Sequence, residues 1–189
     1  MGRIARNEML MQMAEVVAQR GTCSRLQVGS VVSRDGRIIA TGYNGTPKGL
    51  PHCVHEKYTV GPGNVAPGWF HKMMDAQAWE EQIAVGTVFH WDGHTMTRML
   101  GGPGDGPSGG CTQAVHAEQN AISFAAKHGL ELNRGDMHVT HAPCSACARS
   151  IINAGINTVY FRTPYRLTSG VELLHQAGLN VIDMSTPVR

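Results

Sequence analysis

The stretch VGSVVSRDGRIIATGY, residues 28–43, places two apolar runs on either side of the dipeptide Asp35-Gly36. An Asp-Gly pair between two such runs is a strong signal for a two-residue hairpin turn. We therefore expect residues 28–32 and 37–43 to pair as antiparallel strands.

Helical and strand patterns also lie on both sides of this hairpin. A helix is expected before it, because the segment from Asn7 spaces its apolar residues along one face and Gly21 stops it. The later elements are expected to be a helix over 116–128, a strand over 137–141, a helix over 144–153, a strand over 158–161, a helix over 170–176 and a strand over 180–183. Two strands followed by alternating helices and strands predict an α/β fold with one mixed sheet and helices packed on it.

The middle of the chain has little sustained periodicity. The sequence contains 23 glycines and 9 prolines, and the run over 101–110 has the composition of a flexible loop. Within the middle, only residues 69–85 could hold a helix. We expect one domain over residues 1–189 with a loop-rich insertion at about residues 45–111.

The charge and apolar patterns limit the possible partners. Sixteen basic and fourteen acidic residues give a net charge of +2, which provides no broad basic field for binding duplex nucleic acid. No run approaches the roughly 18 to 20 apolar residues of a membrane span, and the first residues lack the apolar core of a signal peptide. We expect a cytoplasmic protein that neither spans nor binds a membrane.

The cysteines and histidines indicate metal chemistry. Five cysteines are an odd number in a chain without an export signal, so a disulfide framework is not expected. Thiolate ligands are the better interpretation, and ten histidines make mixed cysteine and histidine coordination the first hypothesis. The cysteines are Cys23, Cys53, Cys111, Cys144 and Cys147.

Two short segments concentrate the candidate chemistry. Cys144 and Cys147 lie three apart at a helix start, on one helix face, and His116 would add a third ligand. Three protein ligands with an open fourth position are typical of a catalytic zinc that activates water. Glu118 is placed to move protons, and this pairing of segments is a known signature of zinc nucleobase deaminases. Taken alone, Cys144 and Cys147 could instead form a redox pair or half of a structural zinc site.

The chain resembles the phage and bacterial deoxycytidylate (dCMP) deaminases of the cytidine and deoxycytidylate deaminase superfamily. The resemblance covers most of the chain outside the insertion. It runs through TCSRLQVG at 22–29, RIIATGYNGTPKG at 37–49, HAEQNAI at 116–122, and residues 139–165.

This resemblance implies a five-stranded sheet flanked by helices and a zinc-dependent conversion of dCMP to dUMP and ammonia, which supplies thymidylate synthesis. It also implies a homo-oligomer, with a hexamer favoured, in the cytoplasm or in the host cytoplasm for a phage protein. Residues 43–49 resemble the segment that such enzymes use for allosteric control, in which dCTP with Mg²⁺ activates and dTTP inhibits.

Carried over by position, the resemblance assigns roles to individual residues. His116, Cys144 and Cys147 would hold zinc, and Glu118 would transfer protons. The substrate-binding residues would be Asn44, which would contact the sugar, Ala117 and Tyr165. Asn44 could alternatively serve as a turn residue.

Similar proteins carry a second, structural zinc that holds the insertion. Cys23, Cys53 and Cys111 fall where its thiolate ligands are expected, and each could otherwise be a small buried apolar residue. His52 is the favoured fourth ligand. Its rivals are His55, His71, His90 and His94.

The phosphate contacts are less defined by the resemblance. Residues 111–115 read CTQAV where similar bacterial sequences often carry Arg-Thr, so one arginine is missing. Candidates for phosphate or effector binding are Arg25, Lys48, Lys127, Arg162 and Arg166, although each could be a solvated surface charge. Trp69, Trp79 and Trp91 could stack on a base or anchor the insertion.

Other functions also remain open at this point. The same chemistry could act on dCTP, on a 5-modified dCMP, or on a base within nucleic acid, although the low net charge disfavours a polynucleotide. A non-catalytic zinc-binding module is a further alternative. Glu118 speaks against such a module, because a structural metal site needs no carboxylate beside it.

Overall fold

One helix, five strands and then alternating helices and strands follow one another in the computed structural model, which describes residues 2–23, 26–50, 54–59, 87–91, 95–100, 114–165 and 167–185. In chain order the elements are α1 (Arg6–Ala18), β1 (Gly29–Arg34), β2 (Arg37–Tyr43), β3 (Val54–Thr59), β4 (Thr87–Trp91), β5 (Thr95–Leu100), α2 (Ala117–Lys127), β6 (Asp136–His141), α3 (Ser145–Asn153), β7 (Thr158–Thr163), α4 (Ser169–Gln176) and β8 (Asn180–Asp183). The expected helices and strands outside the middle of the chain are all present.

The main sheet has five strands in the order β2-β1-β6-β7-β8. Strand β1 pairs antiparallel with both β2 and β6, whereas β7 lies parallel to both β6 and β8. The predicted mixed α/β sheet is therefore confirmed. Because β6 and β7 are parallel, their carboxyl ends meet at one edge of the sheet, next to the start of α3.

The β1–β2 turn confirms the hairpin prediction from Asp35-Gly36. Both residues have positive φ, 52° for Asp35 and 75° for Gly36. A type I′ turn needs positive φ at both central residues, and its twist matches the twist of the two hairpin strands. Asp-Gly adopts this pair of conformations readily.

The sheet is covered on both faces, and each face has its own apolar core. Leu10, Met11 and Ala14 of α1 pack with Val31 and Met184 on one face. Helices α2, α3 and α4 cover the other face. That larger core contains Ala121, Ala125, Met137, Val139, Cys147, Ala148, Ile151 and Leu174, all of them at most 1% exposed. The second face carries the segments that contain His116 and Cys144.

The chain divides into two compact units, and the smaller one comprises Cys23–Arg25 and Thr46–Ala114. Its described strands form a three-stranded antiparallel sheet in the order β3-β5-β4. The sequence analysis predicts a loop-rich insertion here and does not predict this sheet. Its signal was present in residues 87–100, where β-branched and aromatic residues flank a second Asp-Gly dipeptide. Residues 69–85 and 101–110 lie outside the described part.

No helix among the described residues combines the length and apolar character needed to cross a membrane.

Candidate metal centre and active site

Helix α2 brings His116 and Glu118 to the sheet through close backbone contact. His116 is the residue before the helix, and Glu118 lies in its first turn. A β-carbon at Gly42 of β2 would overlap the carbonyl oxygen of Ala117, so only glycine allows the helix to lie this close. The Ser30 hydroxyl donates to the same carbonyl at 2.9 Å, which fixes the start of α2 against β1 and β2.

Helix α3 supplies the two cysteines. Cys144 is the residue before the helix and Cys147 lies in its first turn, so both side chains are at the same end of α3. A β-carbon at Gly170 of α4 would overlap the carbonyl oxygen of Pro143. Helix α4 thus packs directly on the peptide that carries Cys144.

His116, Cys144 and Cys147 form a cluster whose ligand atoms all lie within 4.8 Å of one another. The His116 Nδ1 atom is 3.5 Å from the Cys144 Sγ atom and 3.3 Å from the Cys147 Sγ atom. Zinc bound with ordinary Zn–N and Zn–S bonds in a tetrahedron would separate such atoms by about 3.6 Å. The donor set and its spacing therefore fit zinc, as the sequence predicted.

The electrostatics of the cysteine pair favour a thiolate. A hydrogen bond from Cys147 is the main cause that lowers the pKa of Cys144 to about 3, and His116 contributes in the same direction. The pKa of Cys147 is raised, first by that hydrogen bond and then by burial. Cys144 is therefore the more readily deprotonated of the two thiols, which suits an anionic metal ligand.

Glu118 is a buried carboxyl group beside this cluster. Its side chain is 4% exposed, and desolvation raises its pKa above the ordinary value. A hydrogen bond with Cys147 and the proximity of His116 partly oppose this shift. A raised pKa strengthens a carboxylate as a proton acceptor and still lets the carboxyl group release the proton, which suits a general acid and base.

The three predicted substrate-binding residues lie in the same unit as the cluster. Asn44 is buried, and its amide already bridges the chain before β1: Oδ1 accepts from the Val28 N–H at 2.8 Å, and Nδ2 donates to the Leu26 carbonyl at 2.7 Å. Among the described residues, its second amide proton and second oxygen lone pair have no partner. Ala117 is fully buried, and Tyr165 follows β7 and packs half-buried against the larger core.

The predicted phosphate residues lie in different places. Arg162 is on the α1 face of the sheet, where it donates to Glu8 at 2.7 Å, to Glu15 at 3.2 Å and to the Met184 carbonyl at 2.9 Å. These contacts favour a role in holding α1 on the sheet over a phosphate contact.

The two predicted lysines are both exposed. Lys127 ends α2, roughly 16 Å along the helix from His116. Lys48 lies in a turn of the smaller unit. Arg25 and Arg166 fall outside the described residues.

The residues predicted for a second zinc are mostly outside the described part of the chain. Cys23 is described as a half-buried free thiol. Cys53, Cys111 and His52 lie outside the described residues, as do the rivals His71 and His94. His55 lies in β3 and His90 lies in β4, and only the backbone of these strands is described.

The sequence reading did not identify Ser30, Gly42 and Gly170 as contributors to the site. Each contacts the backbone of a ligand-bearing segment that is distant in sequence. The available signals were a small polar residue and a glycine inside apolar strands, for Ser30 and Gly42, and a glycine inside a predicted helix, for Gly170. Such residues indicate close backbone approach only in general terms.

Comparison with known proteins agrees with this site. The family described as "Cytidine and deoxycytidylate deaminase zinc-binding region" matches residues 4–60 and 69–163. The deoxycytidylate deaminase of Enterobacteria phage T2 is 32% identical over 177 residues, which are 93% of this chain and 90% of the phage protein. The ComE operon protein 2 of Bacillus subtilis (strain 168) is 32% identical over 96% of this chain and 72% of that protein.

Among solved structures, the dCMP deaminase from the cyanophage S-TIM5 in complex with dCMP and dUMP is similar to this chain. It shares 26% sequence identity with a TM-score of 0.62, and the match covers 97% of this chain and all of the other. The fold, the ligand cluster and these matches together place the chain in the cytidine and deoxycytidylate deaminase family of zinc-binding enzymes.

Proposed function

We propose that this chain converts dCMP and water to dUMP and ammonia. The observation that carries the proposal is the His116, Cys144 and Cys147 cluster with the buried carboxyl group of Glu118 beside it. Further support comes from relatives named deoxycytidylate deaminase and from a structurally similar enzyme whose structure contains dCMP and dUMP.

In this proposal His116, Cys144 and Cys147 hold one zinc ion. Zinc with three protein ligands supplies a water molecule that is activated for attack at neutral pH. Glu118 would take one proton from the attacking water and pass it to the ring nitrogen of cytosine. It would then take the second proton from the hydroxyl group now on the ring carbon and deliver it to the amine, so that the carbonyl forms as the C–N bond breaks and ammonia leaves. The burial of Glu118 suits this role, because the raised pKa allows the same carboxyl group to accept and return protons.

Asn44, Ala117 and Tyr165 bind the substrate in this proposal. After its two internal hydrogen bonds, Asn44 has one donor and one acceptor without a partner in the described part of the chain, and these would contact the sugar. Its fixed orientation would reduce the entropy lost on binding. We propose that the backbone of Ala117, held by Ser30, and the ring of Tyr165 complete the contacts to the nucleotide.

The wider predictions are part of the same proposal. The chain would act as one deaminase domain with an insertion at about residues 45–111, in a cytoplasmic homo-oligomer that supplies dUMP for thymidylate synthesis. Cys23, Cys53, Cys111 and His52 would hold a second zinc. Effector control by dCTP with Mg²⁺ and by dTTP would involve residues 43–49.

The experiment is an ultraviolet assay at the cytosine absorption band with zinc-loaded protein. The substrates are dCMP, dCTP, deoxycytidine and a 5-substituted dCMP, each with and without dCTP-Mg²⁺ and dTTP. Loss of the cytosine band with dCMP, together with ammonia release, is the expected result. Turnover of dCTP but not dCMP, or of none of the four, would contradict the proposal.

A further inference from the structure

His141 lies at the carboxyl end of β6, close to the ligand-bearing segment. It is the last residue of the strand, in register with Thr163 of β7, and it precedes Cys144 by three positions. Met137 and Val139 of the same strand pack in the core with Cys147. Since side chains alternate along a strand, His141 is directed to that face, which is the face of the metal cluster.

A buried hydrogen-bond chain holds the His141 ring. The Gly29 N–H donates to the Thr140 hydroxyl oxygen at 3.2 Å, and this oxygen lies 3.1 Å from His141 Nδ1. Thr140 is buried, and its hydroxyl proton has no other partner among the described residues. We assign the hydroxyl as the donor to Nδ1, since this gives its proton a partner, and the neutral imidazole then carries its proton on Nε2.

The Nε2 edge of His141 is left with an unused donor. The residue is half-buried, and Nε2 has no hydrogen-bond partner within the part of the chain that the structure describes. Burial also lowers the pKa of His141, which keeps the ring neutral at neutral pH. The ring thus offers one oriented N–H at the sheet edge where open α/β folds bind their ligands.

We propose that the Nε2–H of His141 donates a hydrogen bond to the 5′-phosphate of the substrate nucleotide. The inference rests on the proposed function. Three residues of extended chain span at most about 10 Å, so His141 and Cys144 are no further apart than that. A nucleotide whose base lies at the metal cluster could therefore reach His141 with its phosphate. A phosphate offers only acceptor oxygens, and a fixed N–H donor matches it.

The other described candidates for the phosphate are less well placed. Arg162 is on the opposite face with its donors on Glu8, Glu15 and Met184. Lys127 is at the far end of α2 from His116. His141 is the described side chain that combines an available donor, a fixed orientation and the face of the metal cluster.

The test compares ligands with and without the phosphate. Binding of dUMP and of deoxyuridine to zinc-loaded protein is measured by calorimetry for the wild type, His141→Ala and His141→Gln. His175→Ala, an exposed histidine on α4, is the matched control. We expect His141→Ala to weaken dUMP binding roughly tenfold or more and to leave deoxyuridine binding and zinc content unchanged. His141→Gln, which keeps an N–H donor, should recover part of the loss.

Three results would separate the possible failures. If wild-type protein deaminates dCMP and His141→Ala binds dUMP as tightly as wild type, the phosphate contact is wrong while the proposed function stands. An equal loss for dUMP and deoxyuridine would also overturn it, because His141 would then act on the base, the sugar or the metal. If the wild type neither binds dUMP nor deaminates dCMP, the proposed function itself fails.

Discussion

At the residue scale, a substitution of Glu118 tests catalysis separately from metal binding. Glu118→Gln keeps the size of the side chain and removes its acid and base chemistry, and Glu118 is not part of the three-ligand cluster. We expect the variant to retain zinc and to lose turnover of dCMP by about 10²- to 10⁴-fold. Metal content and kcat are the measurements. Glu131→Gln, an exposed glutamate paired with Arg34, is the control, and full activity of Glu118→Gln would refute the proton-transfer role.

His138 predicts how stability depends on pH. It is fully buried on β6, stacked on Tyr160 with ring centroids 4.4 Å apart, and neither ring nitrogen has a hydrogen-bond partner among the described residues. Burial lowers its pKa to about 4 from 6.5. The unfolded chain therefore takes up the proton first as pH falls, so the stability that His138 contributes is present above about pH 6.5 and is lost towards pH 4.

The corresponding experiment replaces this histidine with an apolar ring. The lost stability amounts to at most about 3 kcal/mol for one such group. His138→Phe should keep the stacking and flatten the dependence of the free energy of unfolding on pH between pH 7.5 and 5, as measured with urea. The control His175→Gln, at an exposed histidine, should leave the dependence of the free energy of unfolding on pH unchanged. A slope for His138→Phe equal to that of the wild type would contradict the assignment.

At the scale of elements, Gly170 sets the position of the segment that carries Cys144. Alanine is normally better than glycine inside a helix by about 1 kcal/mol. At Gly170 the added β-carbon meets the Pro143 carbonyl and the Cys144 backbone, so Gly170→Ala must displace α4 or the ligand segment. We expect zinc affinity to fall about 10- to 100-fold, measured by competition with a chelator. Ser169→Ala, exposed at the start of the same helix, is the control, and unchanged affinity in Gly170→Ala would count against this packing role.

Arg162 connects α1 to the sheet through Glu8 and Glu15. Its side chain is 20% exposed, and its hydrogen bonds to these carboxylates join elements that are far apart in sequence. Arg162→Met should lower the free energy of unfolding by about 1–3 kcal/mol and leave the KM for dCMP unchanged. Arg34→Met, which removes a more exposed pair with Glu131, should cost less than about 1 kcal/mol. A raised KM with unchanged stability would instead support the phosphate contact predicted from the sequence.

At the scale of the whole molecule, the number of metal ions tests the two proposed zinc sites together. We expect two zinc ions per chain, with one lost in Cys144→Ser and the other lost in Cys23→Ser. Because a metal that binds only the folded chain stabilises it, chelation should also lower the melting temperature, and added zinc should restore it. A wild-type content of one zinc, unaffected by Cys23→Ser, would exclude the second site.

Much of the fold and the metal cluster could be predicted because their causes are local in sequence. The Asp35-Gly36 turn follows from the tolerance of those residues for positive φ. Cys144 and Cys147 share one end of α3 because a spacing of three returns a side chain to the same helix face. The sheet of β3, β4 and β5 was not predicted, since the Asp-Gly signal between β4 and β5 lies in a glycine-rich middle segment without sustained periodicity.

The sequence by itself determined the α/β class, the paired strands of the hairpin and the two cysteines at one helix end, because each depends on the conformational preferences or spacing of neighbouring residues. His116 is 28 positions from Cys144 and was added through the known pairing of the two motif segments. Only the tertiary structure decided that Arg162 lies on the face opposite the metal cluster, that Gly42 and Gly170 contact the ligand-bearing segments, and that the Gly29 backbone holds the Thr140 hydroxyl beside His141. These features depend on which faces meet when distant segments pack together, and some of these segments are more than a hundred residues apart. The pattern of neighbouring residues does not determine which faces meet.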